Sequence, residues 1–149
     1  MNPLRNRAVA ALERWRRFEE ARAAIAHRAA ELEVVKADQA HAQAEALAQD
    51  VQRNRAMLLA CPTIDLDRCR AVGEIEAHAW TRVAEREAAL AQARDVAAQA
   101  LQAHRDAHAM TDVASQRRER LDSALEEHLE KATSDRLAEL RNAVARTSP

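Results

Sequence analysis

Tyrosine is absent from this 149-residue chain; glycine and phenylalanine occur once each, tryptophan and cysteine twice, and proline three times. Each scarcity excludes something. With so few aromatics there is little bulk to fill a globular interior. A single glycine, Gly73, leaves no glycine-rich loop to cradle a phosphate. The two cysteines, Cys61 and Cys69, flank Pro62 at a spacing that matches no zinc pattern, and reduced thiols are expected. No uncharged apolar run approaches the ~20 residues needed to span a bilayer, and the opening MNPLRNRAVAALERW lacks a signal-peptide core. Basic and acidic residues nearly balance, 23 against 24, so no net field draws the chain to nucleic acid. A cytoplasmic protein with no cofactor, no nucleic-acid partner and no membrane insertion is expected.

What remains is a helical text. Alanine fills roughly a quarter of the chain, and 32% of residues are charged. Ala, Leu, Glu, Gln and Arg are the strongest intrinsic helix formers. Asn2 is a good N-cap and Pro3 suits a first helical turn. Nothing then breaks the helix until Pro62, whose ring removes a backbone donor and disfavours helical geometry at Cys61. Thr63 or Asp65 can cap a second helix, with Ile64 stapling onto Cys69 and Asp67 complementing the dipole. Gly73 marks a weak point near its start. The reading is all-α: a single coiled-coil rod over 1–149, with helix one at about 4–60, a tip at 61–66 and helix two at about 67–146.

A short connection favours antiparallel neighbours. The helices would be about 85 Å and 120 Å long. Folding about residue 63 brings Ile25 near Leu101 and Val51 near Ile75. The expected architecture is therefore a long two-helix antiparallel coiled-coil hairpin with a protruding C-terminal helix. For the seam, Ile25, Lys36, Leu47 and Leu58 fall on a spacing of eleven, as do Ala29, Ala40 and Val51. Phe18, Ile25 and Leu32 run on seven, as do Val83, Leu90, Ala97 and His104. A mixed repeat follows. Alanine at a seam position forgoes about three carbons of burial at roughly 0.8 kcal/mol each, so pairing should be weak.

Little converges for chemistry. His104 and His108 stand four apart and could in principle share a metal, but no third ligand completes their face, so no metal site is expected. No catalytic triad with a surrounding pocket can be assembled on two helices, so no catalytic residue is assigned and an enzyme is not expected. The candidate partner-binding residues lie toward the termini. Residues 5–22 carry six Arg against three Glu. Among them Arg14 is a candidate partner contact, and Trp15 and Phe18 beside it either fill the seam against His108 and Thr111 or face a partner. Leu121, Leu125, Leu129, Leu137 and Leu140 crowd into twenty residues. Beyond about residue 126 no partner helix remains, so Leu129, Leu137, Leu140 and Val144 should face water. The stripe from Leu121 to Val144 spreads over roughly 160°, wider than a two-helix seam requires. Exposed apolar surface of that kind marks an interaction site, and Glu126, Glu127, Glu130 and Asp135 beside it suit a basic collar. A slipped register would instead bury these leucines.

The layout, with its ending RRERLDSALEEHLEKATSDRLAEL, resembles the rod-like stalk proteins of type III secretion systems, the FliJ/YscO family. Asp135, Leu137 and Ala138 are similar to that family's acidic–x–apolar–Ala ending, although Arg136 stands where a second acidic residue is usual. The resemblance implies a non-enzymatic, monomeric cytoplasmic stalk, peripheral to a membrane-embedded secretion apparatus. It implies that the terminal end inserts into a hexameric export ATPase and links it to the cytoplasmic ring of the export gate, with secretion chaperones as further partners. Two other readings fit the same residues: a self-associating structural scaffold without an ATPase partner, and a hairpin holdase chaperone.

Overall fold

The computed structural model describes the backbone of residues 3–63 and 65–147, and the side chains of 7–63 and 65–142. Two helices account for nearly all of it, α1 (Pro3–Leu59) and α2 (Leu66–Thr147), and no strand occurs among the described residues. The fold is an all-α, two-helix antiparallel hairpin. Asn2 and Ile64, named above as cap and staple, lie outside the described residues.

The turn follows from its residues. The amide of Ala60 still donates to the carbonyl of Ala56 at 3.1 Å, and that of Cys61 to Leu58 at 3.3 Å, so α1 closes on a tightened last turn before Pro62. Of the two candidate caps the structure selects Asp65, whose Oδ1 accepts the Arg68 amide at 3.1 Å while its carbonyl accepts the Cys69 amide at 3.0 Å. Gly73 does not interrupt α2, which runs straight through it without a positive φ. The surrounding Ala, Val and Glu sustain the backbone ladder across one poor helix former. A Cβ at that position would meet only the flexible Arg55 guanidinium, 3.7 Å away. Gly73→Ala should therefore stabilise the protein by about 0.5–1 kcal/mol. Urea denaturation followed by circular dichroism measures this, and a midpoint that falls would mean the glycine is structurally required.

The chain divides into two units, residues 23–104 and residues 1–22 with 105–149. In the first, antiparallel pairing is pinned by three cross-helix contacts. Arg55 Nη1 donates to Glu76 Oε2 at 2.6 Å, Arg94 lies 3.6 Å from Asp38, and the rings of His27 and His104 stack with centroids 6.2 Å apart. The pairing of residue 27 with 104 lies about five residues beyond that given by a fold at residue 63. The cause is the cap: α2 starts only after Asp65, which moves the centre of the turn past Pro62.

The seam corrects the expected repeat. Along α1 the row Ala23, His27, Ala30, Val34, Ala37, His41, Ala44, Ala48 and Val51 is covered throughout, an alternation of four and three, with Ala24, Ala40, Glu45 and Leu58 partly covered beside it. That row follows the heptad, the period of a left-handed supercoil. On α2 the matching row includes Ala79, Val83, Leu90, Ala97 and His104, as the heptad reading anticipated. Of the expected α1 repeats, Phe18, Ile25, Leu32 and Leu47 stand exposed, while Ala40, Val51 and Leu58 are partly covered. Small residues win the seam because they let two backbones approach closely over their whole length, whereas occasional large ones would hold the helices apart. Ala48, fully buried at 0% exposure, packs with Ala79 and Val83 as the centre of this contact.

In the second unit the same alternation carries Val9, Glu13, Arg16 and Glu20 against Ala107, Thr111, Ala114, Leu121 and Leu125. Here the innermost side chain is charged. Glu13 is 3% exposed; its Oε2 accepts Arg118 Nη1 at 2.7 Å and its Oε1 accepts Arg17 Nη2 at 2.6 Å. Ser115 Oγ adds a longer bond of 3.4 Å. A paired charge inside a coiled-coil seam penalises every other register, because slippage would leave it buried alone.

Candidate interaction surface

Within the unit of residues 1–22 and 105–149, the Glu13–Arg118 pair brings the start of α1, ten residues earlier, level with about residue 128 of α2. From there α2 continues to Thr147 with no α1 residue beside it. Leu121 and Leu125 are partly covered, while Leu129, Leu137 and Leu140 are each more than half exposed. At about 100° per residue these three leucines fall within roughly 80° of one another, a single narrow face. The stripe of Leu121 to Val144 thus divides: its first two leucines serve the hairpin, and the next three face water. The Val144 side chain lies outside the described residues.

On α1, neither Trp15 nor Phe18 fills the seam against His108 and Thr111. Trp15 is half exposed and Phe18 is 64% exposed. Phe18 sits about 140° and 160° round the helix from the seam residues Glu13 and Arg16, so it points away from α2. Arg16 lays its guanidinium 4.6 Å from the centroid of the Trp15 ring, a cation–π contact that holds the indole against the helix surface. Arg14 is exposed beside them. What the sequence reading missed is that the seam here is polar. The four–three alternation of Glu13, Arg16 and Glu20 held the signal, but hydrophobicity alone does not reveal it.

The two histidines four residues apart engage different partners. His104 belongs to the 23–104 unit, where it stacks on His27. His108, in the other unit, places Nδ1 2.7 Å from Glu20 Oε1 and Nε2 3.6 Å from Asp112. The hydrogen bond to Glu20, reinforced by the charge of Asp112, raises the His108 pKa above its ordinary 6.5. The bond from Arg118 holds the Glu13 carboxyl below its ordinary 4.5 against the opposing pull of burial, and the same bond raises Arg118. Among the described residues no three of His, Cys, Asp or Glu converge on a point, and both cysteines are free thiols. In the 23–104 unit an open groove of about 570 Å³ runs beside Leu47, Val51, Ile75 and Ala79. No helix of the described residues is long and apolar enough to cross a membrane.

Compared with family models, with curated proteins and with solved structures, the chain finds no significant match.

Proposed function

We propose that this chain is a non-enzymatic coiled-coil stalk of a type III export apparatus, which docks into a hexameric export ATPase and links it to the cytoplasmic ring of the export gate. The observation that carries the reading is the unpaired end of α2. An apolar face of Leu129, Leu137 and Leu140, flanked by Glu126, Glu127 and Glu130, is exposed on a single helix slender enough to enter a ring. The resemblance of the surrounding residues to the ending of the FliJ/YscO stalks supplies the partner. A second contact is assigned to Arg14, Trp15 and Phe18, which face outward at the same end of α1. The same features support export chaperones as further cargo of the stalk, held through weak charged contacts.

The test is the full-length variant Leu129→Ser/Leu137→Ser/Leu140→Ser against the purified ATPase in a pull-down or by interferometry. Binding should fall at least about tenfold, the loss of 1.4 kcal/mol or more. The melting temperature should stay within a few degrees, because these side chains are more than half exposed. Unfolding of the variant would assign the leucines to the fold, and undiminished binding would remove the overhang from the docking surface.

A further inference from the structure

We propose that the hairpin carries an acid-opened clasp: the unit of residues 1–22 and 105–149 parts when its two seam carboxylates, Glu13 and Glu20, lose their charge, while residues 23–104 stay paired.

The two seams bury different things. Among the described residues of the 23–104 unit the buried side chains are Ala30, Ala48, Ala79, Val83 and Leu90, an apolar contact that does not change with pH. The histidines on that seam, His27, His41 and His104, are only partly covered and keep access to water. In the other unit Val9 and Ala114 share the interior with Glu13 and Thr111. Thr111 turns its hydroxyl back onto the carbonyl of Ala107 at 3.0 Å and so ties nothing across the seam. The bonds that do cross end on carboxylates of α1: Arg118 and Ser115 donate to Glu13, and His108 meets Glu20. With little apolar surface buried beneath them, these two carboxylates decide whether the helices stay together.

Acid acts on this unit twice over. It removes the two anions, and it leaves the cations that face them. Arg16 and Arg17 lie within one turn of both carboxylates on α1. On α2, Arg118 faces Glu13 and is itself 3.5 Å from Asp122, while His108 faces Glu20 and is 3.6 Å from Asp112. Once the carboxylates are neutral, the positive charge on both helices is unopposed and repels across the seam. The repulsion is concentrated here. Residues 7–22 and 105–122 hold nine arginines, whereas the much longer 23–104 segment holds eight arginines and one lysine. Glu13 sets the pH at which the clasp yields. The bond from Arg118 lowers its pKa, so its contribution is present above 4.5 and is lost as pH falls through the folded value.

The proposal goes beyond the stalk reading, because it concerns the chain alone and is measured without a partner. Double electron–electron resonance on the full-length protein, in a Cys61→Ser/Cys69→Ser background, follows both units at once. One pair of spin labels sits at the exposed positions Ala8 and Ala124, the other at the exposed positions Ala42 and Ala89. At neutral pH both pairs should give the short, narrow separations of helices packed with axes roughly 8–10 Å apart. At about pH 3, below the ordinary range of a carboxylate, only the Ala8–Ala124 separation should lengthen and broaden. Glu13→Gln/Glu20→Gln should open the same pair at neutral pH. Glu13→Leu/Arg118→Leu, which exchanges the buried ion pair for an apolar one, should keep it closed in acid. An Ala8–Ala124 pair that stays short in the acidified wild type or in the neutral glutamine variant would overturn the proposal. So would a leucine variant that opens in acid like the wild type, or an Ala42–Ala89 pair that lengthens together with the first.

Discussion

Ala48→Asp should destabilise the hairpin by about 3 kcal/mol, the largest loss expected from a single change in the 23–104 unit. Ala48 has no exposed surface and packs with Ala44, Ala79 and Val83, so an aspartate there would replace a methyl group inside an apolar contact. The carboxylate must either lose its water or force the helices apart. Parting them sacrifices the close approach that the alanine seam permits. A neighbouring control isolates the effect. Ala46 lies two residues earlier on the exposed side of α1, and Ala46→Asp should shift stability by no more than about 0.5 kcal/mol. Urea denaturation of both variants provides the comparison. Equal midpoints would show that Ala48 is not at the centre of the helix contact.

Thermal stability should pass through a maximum at weakly acidic pH, and two named residues set its flanks. Glu13 has a lowered pKa in the folded state, so its contribution is present above 4.5 and is lost as pH falls through the folded value. His108 has a raised pKa, so its contribution is complete below 6.5 and is lost as pH rises through the folded value. Melting temperature should therefore decline both in strong acid and on passing from weak acid through neutrality. His108→Gln should flatten the neutral flank and leave the acid one. Glu13→Gln should lower the melting temperature by several degrees at neutral pH, because Arg118 and Arg17 lose their shared anion, and should flatten the acid flank. A melting temperature independent of pH between 5 and 8 in the wild type would mean the Glu20–His108 contact does not persist in solution.

Much of the fold was legible in the residues themselves. Propensity forced helix nearly everywhere, and one internal proline forced one turn, because a missing donor and a fixed φ act locally and need no tertiary partner. Asp65 was recognisable as a cap for the same reason. The α2 row of Val83, Leu90, Ala97 and His104 could be read because its period matches the contact it makes. The α1 seam could not. Size and hydrophobicity pointed to Phe18, Ile25, Leu32 and Leu47, all of which the structure leaves exposed, while the helices meet on Ala, Val, His and Glu. Alanine is so common in this chain that its four–three alternation is lost against its own background.

The amino-acid sequence by itself determined that the protein is helical, where it turns, and that α2 outlasts α1, since these depend on local backbone chemistry and on chain length. Which face of α1 meets α2 was decided only in the tertiary structure. Two stripes at heptad spacing compete on that helix, one small and polar, the other large and apolar. The small stripe prevails because it allows close backbone approach and because charged pairs fix it within each unit, Arg55 with Glu76 in the first and Glu13 with Arg118 in the second. The large stripe, with Phe18, Ile25 and Leu32, is left on the outside.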